Sequence, residues 1–126
     1  MIREHALLPI RSGRELDFEV AFAQARPIIS AMPGFRKVTL SRCLERPGSY
    51  LLLVEWERLE AHVEGFRRSP QFERWKQLLH HFYDPAPTVE HFTLVSPDSV
   101  PHLGLPTYVA DRAPSPVRSW GDARRS

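Results

Sequence analysis

The chain has 126 residues, 25% of them charged with both signs interspersed, and a formal net charge of +2. That leaves room for one small core and gives no electrostatic reason to expect nucleic acid as a partner. A lone Cys43 excludes an internal disulfide framework and suits a reducing cytosol, and no apolar run approaches the roughly 20 residues that span a bilayer. The opening Met1-Ile2-Arg3-Glu4-His5 also lacks the apolar stretch of a signal peptide, so a cytoplasmic protein with no membrane partner is expected.

Residues 2–9 alternate as a first strand, with Ile2, Glu4, Ala6 and Leu8 on one face and Arg3, His5 and Leu7 on the other. Pro9, which has no N–H for a ladder, closes it. Beyond Ser12-Gly13 the apolar residues switch to helical spacing: Leu16, Phe18, Ala21, Phe22, Ala25, Ile28, Ile29 and Met32. Pro27 inside this stripe predicts a kink or a helix in two pieces, and Pro33-Gly34 ends it. Residues 35–43 form a second strand whose Arg36, Lys37, Thr39, Ser41 and Arg42 suit a sheet edge. Arg46-Pro47-Gly48-Ser49 then reverses the chain into a third strand over residues 50–56.

In this third strand both alternating rows are apolar, Tyr50, Leu52, Val54 and Trp56 against Leu51, Leu53 and Glu55. Such a strand needs cover on both sides, one from the chain's own helices and the other from a second subunit. Glu55, a carboxylate closing an apolar row beside a tryptophan, marks the strand's end as a place to look for chemistry. Helical spacing returns with Leu59, His62, Val63 and Phe66, weakened by Gly65. Ser69-Pro70 caps a further helix with the stripe Phe72, Trp75, Leu78, Leu79 and Phe82. After the Asp84-Pro85-Ala86-Pro87 stop, residues 88–95 alternate, Glu90, Phe92 and Leu94 against Val89, His91, Thr93 and Val95.

The order is βαββαβ, an α+β ferredoxin-like fold with a four-stranded antiparallel sheet and helices on one face. The bare face, apolar in the third and fourth strands, is expected to stack on its twin in a homodimer. Five prolines between residues 97 and 116 and a polar end mark 97–126 as a Pro-rich tail, extended or disordered, outside a domain of residues 1–96. Leu103, Leu105, Tyr108 and Val109 could let its first half lie along a neighbouring subunit.

Glu4-His5-Ala6, Pro33-Gly34-Phe35, the run 50–56 followed by His62, Ser69-Pro70 leading to Trp75, and Phe82-Tyr83-Asp84-Pro85 leading to Val89-Glu90-His91-Phe92 together resemble the antibiotic biosynthesis monooxygenase family over residues 1–96. The resemblance implies a dimeric α/β barrel of ferredoxin-like topology. In some members it implies oxidation of polyketide-type aromatics by dioxygen without metal or flavin, in a related branch haem binding and degradation, and in many others no settled activity. The haem-degrading branch holds iron with a helical histidine soon after a serine-containing turn. Counting from Ser69, this chain offers Trp75 and Lys76 there, with His80 one turn on, so haem is disfavoured and no cofactor or metal is expected.

Three residues are candidates for catalysis. His5 and His91 lie in the first and last strands, which this topology pairs, and could share a face near Glu55 as a proton relay. The base would be His5 or His91, with Glu55 as orienting partner. Trp56 could donate its indole N–H to a substrate oxyanion, and His62, Phe66, Trp75 and Leu79 would line the pocket. The plainer reading makes the histidines structural and the aromatics ordinary core. Adjacent His80 and His81 point apart and form no metal pair, and no GxGxxG, P-loop, HExxH, CxxC or GxSxG motif is present. Two functions therefore stand side by side: oxidation of a small phenol-, quinol- or anthrone-like molecule, and non-catalytic binding of a small ligand by a scaffold dimer.

Overall fold

The computed structural model describes residues 1–96, so the expected tail, with Leu103, Leu105, Tyr108 and Val109, lies outside the described residues. Strands β1 (Ile2–Pro9), β2 (Phe35–Arg42), β3 (Ser49–Trp56) and β4 (Thr88–Thr93) form one antiparallel sheet in the order β2-β3-β1-β4. Helix α1 (Glu15–Ser30) connects β1 to β2, and α2 (Pro70–Leu79) precedes β4. The basic second strand is at an edge, as its composition predicts, and the two-sided third strand is central.

The inward row of β3, Tyr50, Leu52, Val54 and Trp56, is buried, and so are Ala6 and Leu8 of β1. Phe18, Phe22, Ala25 and Ile29 of α1 and Trp75 and Leu79 of α2 complete the core. Phe18 is its hub, with ring centroids 5.1 Å from Tyr50, 5.7 Å from Phe82 and 6.2 Å from both Phe22 and Tyr83. Truncating such a ring to alanine typically costs about 3–5 kcal/mol.

Three expectations change. Leu16 is 73% exposed and outside the α1 stripe; it lies two residues, or about 200° of rotation, from Phe18. Pro27 does not split the helix, which runs through it from Glu15 to Ser30. The proline and Ala23, whose carbonyl loses its usual donor, are both exposed, so water can take the place of the missing N–H. Leu59 is 40% exposed, because the segment after Trp56 winds as a π-helix (Ala61–Phe66) that buries His62 and Phe66 instead. The cap of α2 is as expected: Ser69 Oγ accepts the Phe72 N–H at 3.2 Å, and Pro70 occupies the first turn.

Gly34 holds φ +84°, and a Cβ there would meet the Ala61 Cβ at 2.6 Å. Its carbonyl also accepts the Glu57 N–H at 2.8 Å, so this turn supports the start of the π-helix. Gly13 has nearly the same φ, +83°, with nothing near its absent side chain. Alanine at either site should destabilise by about 1–3 kcal/mol through backbone strain. Gly34→Ala should cost clearly more than Gly13→Ala in urea unfolding, and equal losses would argue against the close approach to Ala61.

Candidate functional site

Burial on the inward face of β1 falls on Ala6 and Leu8 and also on one carboxylate, Glu4, which is only 5% exposed. Register sets its neighbours: Glu4 stands opposite Val54 of β3 and His91 of β4. Two ring nitrogens come to it from β3 and the π-helix. Trp56 Nε1 donates to Glu4 Oε1 at 3.0 Å, and His62 Nε2 lies 3.4 Å from the same oxygen. The two rings stack, with centroids 5.5 Å apart and planes 16° from parallel. On its far side His62 Nδ1 meets His91 Nε2 at 2.8 Å, one ring donating and the other accepting. Carboxyl, imidazole and second imidazole thus form a continuous row of contacts from the buried inner face to half-buried His91, hydrogen-bonded at the His62–His91 step.

Beside this row is a cavity of about 340 Å³, within the range of small-molecule sites. Phe66, Phe72 and Trp75 supply aromatic walls, and Glu4, His62, Arg67, His80 and Tyr83 supply its polar groups. The π-helix accounts for Arg67. Its backbone N–H bonds to the His62 carbonyl five residues back, at 3.0 Å. In an α-helix that step would carry Arg67 about 140° away from His62; the wider π turn keeps both on the cavity side.

The charges follow from burial. Glu4 is raised above the usual carboxylate range by desolvation, against the opposing Trp56 bond and the Arg67 charge. His62 is pushed down to about 3, first by burial and then by the charges of His91 and Arg67, so it is neutral at ordinary pH. Burial first, then Arg67, also lowers His91, and burial, then Lys76, lowers His80. Tyr83 is raised by burial and by the nearby Glu4, and remains a neutral O–H donor. His62 has one neighbour on each ring nitrogen. Among the described residues no group of three or more His, Cys, Asp or Glu is arranged to hold an ion.

The residues singled out from sequence divide between the two faces. His91, His62, Phe66 and Trp75 are on the inner side, and the last three line the cavity. His5 and Glu55 do not join them. His5 pairs in register with Glu90 and packs on Phe92 at 4.5 Å, and Glu55 lies 3.7 Å from Arg3, all on the outer face. The expected meeting of His5, Glu55 and His91 therefore does not occur within the subunit, because a one-residue step along a strand reverses the side chain. Trp56 is fully buried with its N–H engaged by Glu4, and Leu79 is fully buried core; neither lines the cavity. His80, one of the adjacent histidines that form no metal pair, lines the cavity with its pKa lowered. Glu4, Arg67 and Tyr83 were not anticipated. The signal for Glu4 was available: it is the one acid in the row Ile2, Ala6, Leu8.

The family model described as antibiotic biosynthesis monooxygenase matches residues 1–78. A curated protein of Bacillus subtilis (strain 168), described as uncharacterized protein YczJ, is 59% identical over 92 residues, which are 73% of this chain and 97% of the relative. A crystal structure from Bordetella bronchiseptica, described as a "putative antibiotic biosynthesis monooxygenase", matches with a TM-score of 0.73 at 38% identity, over 75% of this chain and 97% of its own. SnoaB of Streptomyces nogalater, described as a cofactor-independent oxygenase, has a TM-score of 0.69 at 20% identity, over 78% of this chain and 96% of its own, a likeness of fold. No helix among the described residues is long and apolar enough to cross a membrane.

The lowered histidines make stability depend on pH. Unfolded imidazoles titrate near 6.5, whereas His62 in the fold waits until about 3, so the unfolded chain binds more protons between these values and stability is lost as pH falls. His80 and His91 act in the same direction. Glu4 acts oppositely just above 4.5, where the folded chain holds its proton. Three groups against one give a falling urea midpoint from about pH 7 to about pH 5, with a shallower fall in His62→Gln. An unchanged slope in that variant would contradict the assignment.

Proposed function

Because the chain belongs to the antibiotic biosynthesis monooxygenase family, we propose that it is a cofactor-independent monooxygenase acting on a small phenol-, quinol- or anthrone-like aromatic with dioxygen. The observation that carries this reading is the Glu4–His62–His91 chain opening onto an aromatic-walled cavity. Ground-state dioxygen is a triplet and reacts slowly with closed-shell organic molecules. Without a cofactor, the protein must convert the substrate into an electron-rich anion, and proton removal is the step side chains can supply.

Glu4 is the base in this scheme. Burial strengthens it, and both its ring contacts are to Oε1, which leaves Oε2 for substrate. In the Nδ1–H tautomer of His62 the proton then passes to the free Nε2 as Nδ1 gives its own proton toward His91 Nε2. Tyr83 donates its O–H to the oxygen that becomes negative, and Phe66, Phe72 and Trp75 keep water out. The substrate anion gives electrons to dioxygen. For an anthrone, one oxygen atom ends as the new ring carbonyl and the other leaves as water with the two hydrogens of the oxidised methylene. The cofactor-independent description of SnoaB agrees with this chemistry. His5 and Glu55 belong to the outer face, where half-buried Leu51 and Leu53 lie with Leu7, 54% exposed, and Phe92, 47% exposed. That surface is the proposed contact with a second copy, in a cytosolic homodimer.

Metal-free protein incubated with anthrones and hydroquinones should consume dioxygen and form quinones. Glu4→Gln should lower kcat/KM by roughly 100-fold or more while the far-ultraviolet spectrum is retained. Activity should also rise with pH through the raised Glu4 pKa. No turnover across a broad panel would favour the non-catalytic ligand-binding reading. Leu53→Glu should convert a dimer to a monomer in light scattering, and a wild-type monomer at micromolar concentration would remove the proposed assembly.

A further inference from the structure

The polar groups of the cavity are unequal in depth and in charge. Glu4, at its floor, is almost fully buried and carries negative charge or a proton, with neutral His62 and neutral Tyr83 beside it. Arg67 is an exposed residue whose side chain nonetheless reaches the lining, which puts the cavity's one permanently charged cation at the mouth. Neighbouring cations already have carboxylate partners: Arg68 lies 3.6 Å from Glu64, and Lys76 lies 3.2 Å from Glu73. Among the described residues no carboxylate lies within ion-pair distance of Arg67. Its charge is felt inside the site, since it opposes protonation of His62 and His91 and favours ionised Glu4.

An unpaired guanidinium is a fork of donors suited to a planar carboxylate. The cavity's apolar lining is aromatic, Phe66 meeting Phe72 and Trp75 edge to face, and it suits an aromatic ring system. We propose that the cavity selects flat aromatic molecules bearing a carboxylate or a comparable acidic group, which Arg67 holds at the mouth so that the far end of the ring system meets Glu4. The reverse orientation would bring the acid against a buried carboxylate and leave Arg67 unpaired, so one charge at each end fixes which ring position reacts. The π-helix is the device that makes this possible, because it brings base partner His62 and anion holder Arg67 to the same side of one turn. This inference rests on the cavity being the substrate site.

The test is equilibrium binding to the full chain, followed by quenching of tryptophan fluorescence, with 1-hydroxy-2-naphthoate and 1-naphthol as probes. The acid should bind roughly tenfold or more tightly than the neutral phenol, and added salt should weaken only the acid. Arg67→Gln should erase the difference while changing 1-naphthol affinity by less than about twofold, and Arg67→Lys should restore part of it. Equal affinities in the wild type, a loss shared by both probes in Arg67→Gln, or binding of neither probe would overturn the proposal. Oxidation of neutral quinols without preference for acids would remove the charge selectivity and leave the monooxygenase reading intact. A preference for acids without turnover of any substrate would do the reverse.

Discussion

The structure depends on a carboxyl group placed where a strand would ordinarily bury an apolar side chain. Glu4 loses water on the inner face of β1, and desolvation of an acid is costly unless hydrogen-bond donors replace the solvent. Trp56 supplies one, and His62 Nε2 lies 3.4 Å from the same oxygen, which ties the end of β3 and the π-helix to β1 through one oxygen atom. The sheet register then brings His91 up behind His62. A packed apolar residue in place of Glu4 would satisfy the core with less difficulty. Strain accepted at such a position is characteristic of sites where reactivity is retained at the expense of stability.

Around this carboxyl the fold arranges chemistry by depth. Aromatic rings from the π-helix and α2 make the walls, and the imidazole chain leads away from the floor. His62 is neutral and has a neighbour at each ring nitrogen, Glu4 on one side and His91 on the other. The remaining face of the sheet has a different composition, with Arg3, His5, Glu55 and Glu90 among leucines and a phenylalanine. That mixture suits a contact surface better than a reaction site, since its charged groups are already opposed across the strands.

Much of the architecture was legible in the amino-acid sequence. Alternation placed all four strands, the basic character of residues 36–42 placed β2 at an edge, and Ser69-Pro70 located the start of α2. The site was only half legible, and the missing half turned on parity. His5 is the more conspicuous chemical residue, yet its row with Arg3 and Leu7 is the outward one, and the more apolar row that includes Glu4 faces the helices. Which residue of β4 faces which of β1 is decided by register, and that assigns His91 to Glu4 rather than to His5. Arg67 was hidden for another reason. A hydrogen bond that skips five residues leaves no periodic signature, and helical spacing drawn at 3.6 residues per turn puts Arg67 on the wrong side.

Gly34 and Ala61 occupy what is nearly a single volume, with the turn before β2 pressed against the first residue of the π-helix. Substitutions at the two positions are therefore sterically coupled. A lineage that enlarges Ala61 must keep glycine at 34, and one that loses glycine must both find a residue tolerant of the left-handed backbone and reduce position 61. Covariation at these two positions among relatives would trace which of them retain the distorted turn, and with it the geometry of the cavity, even where the polar residues themselves have diverged.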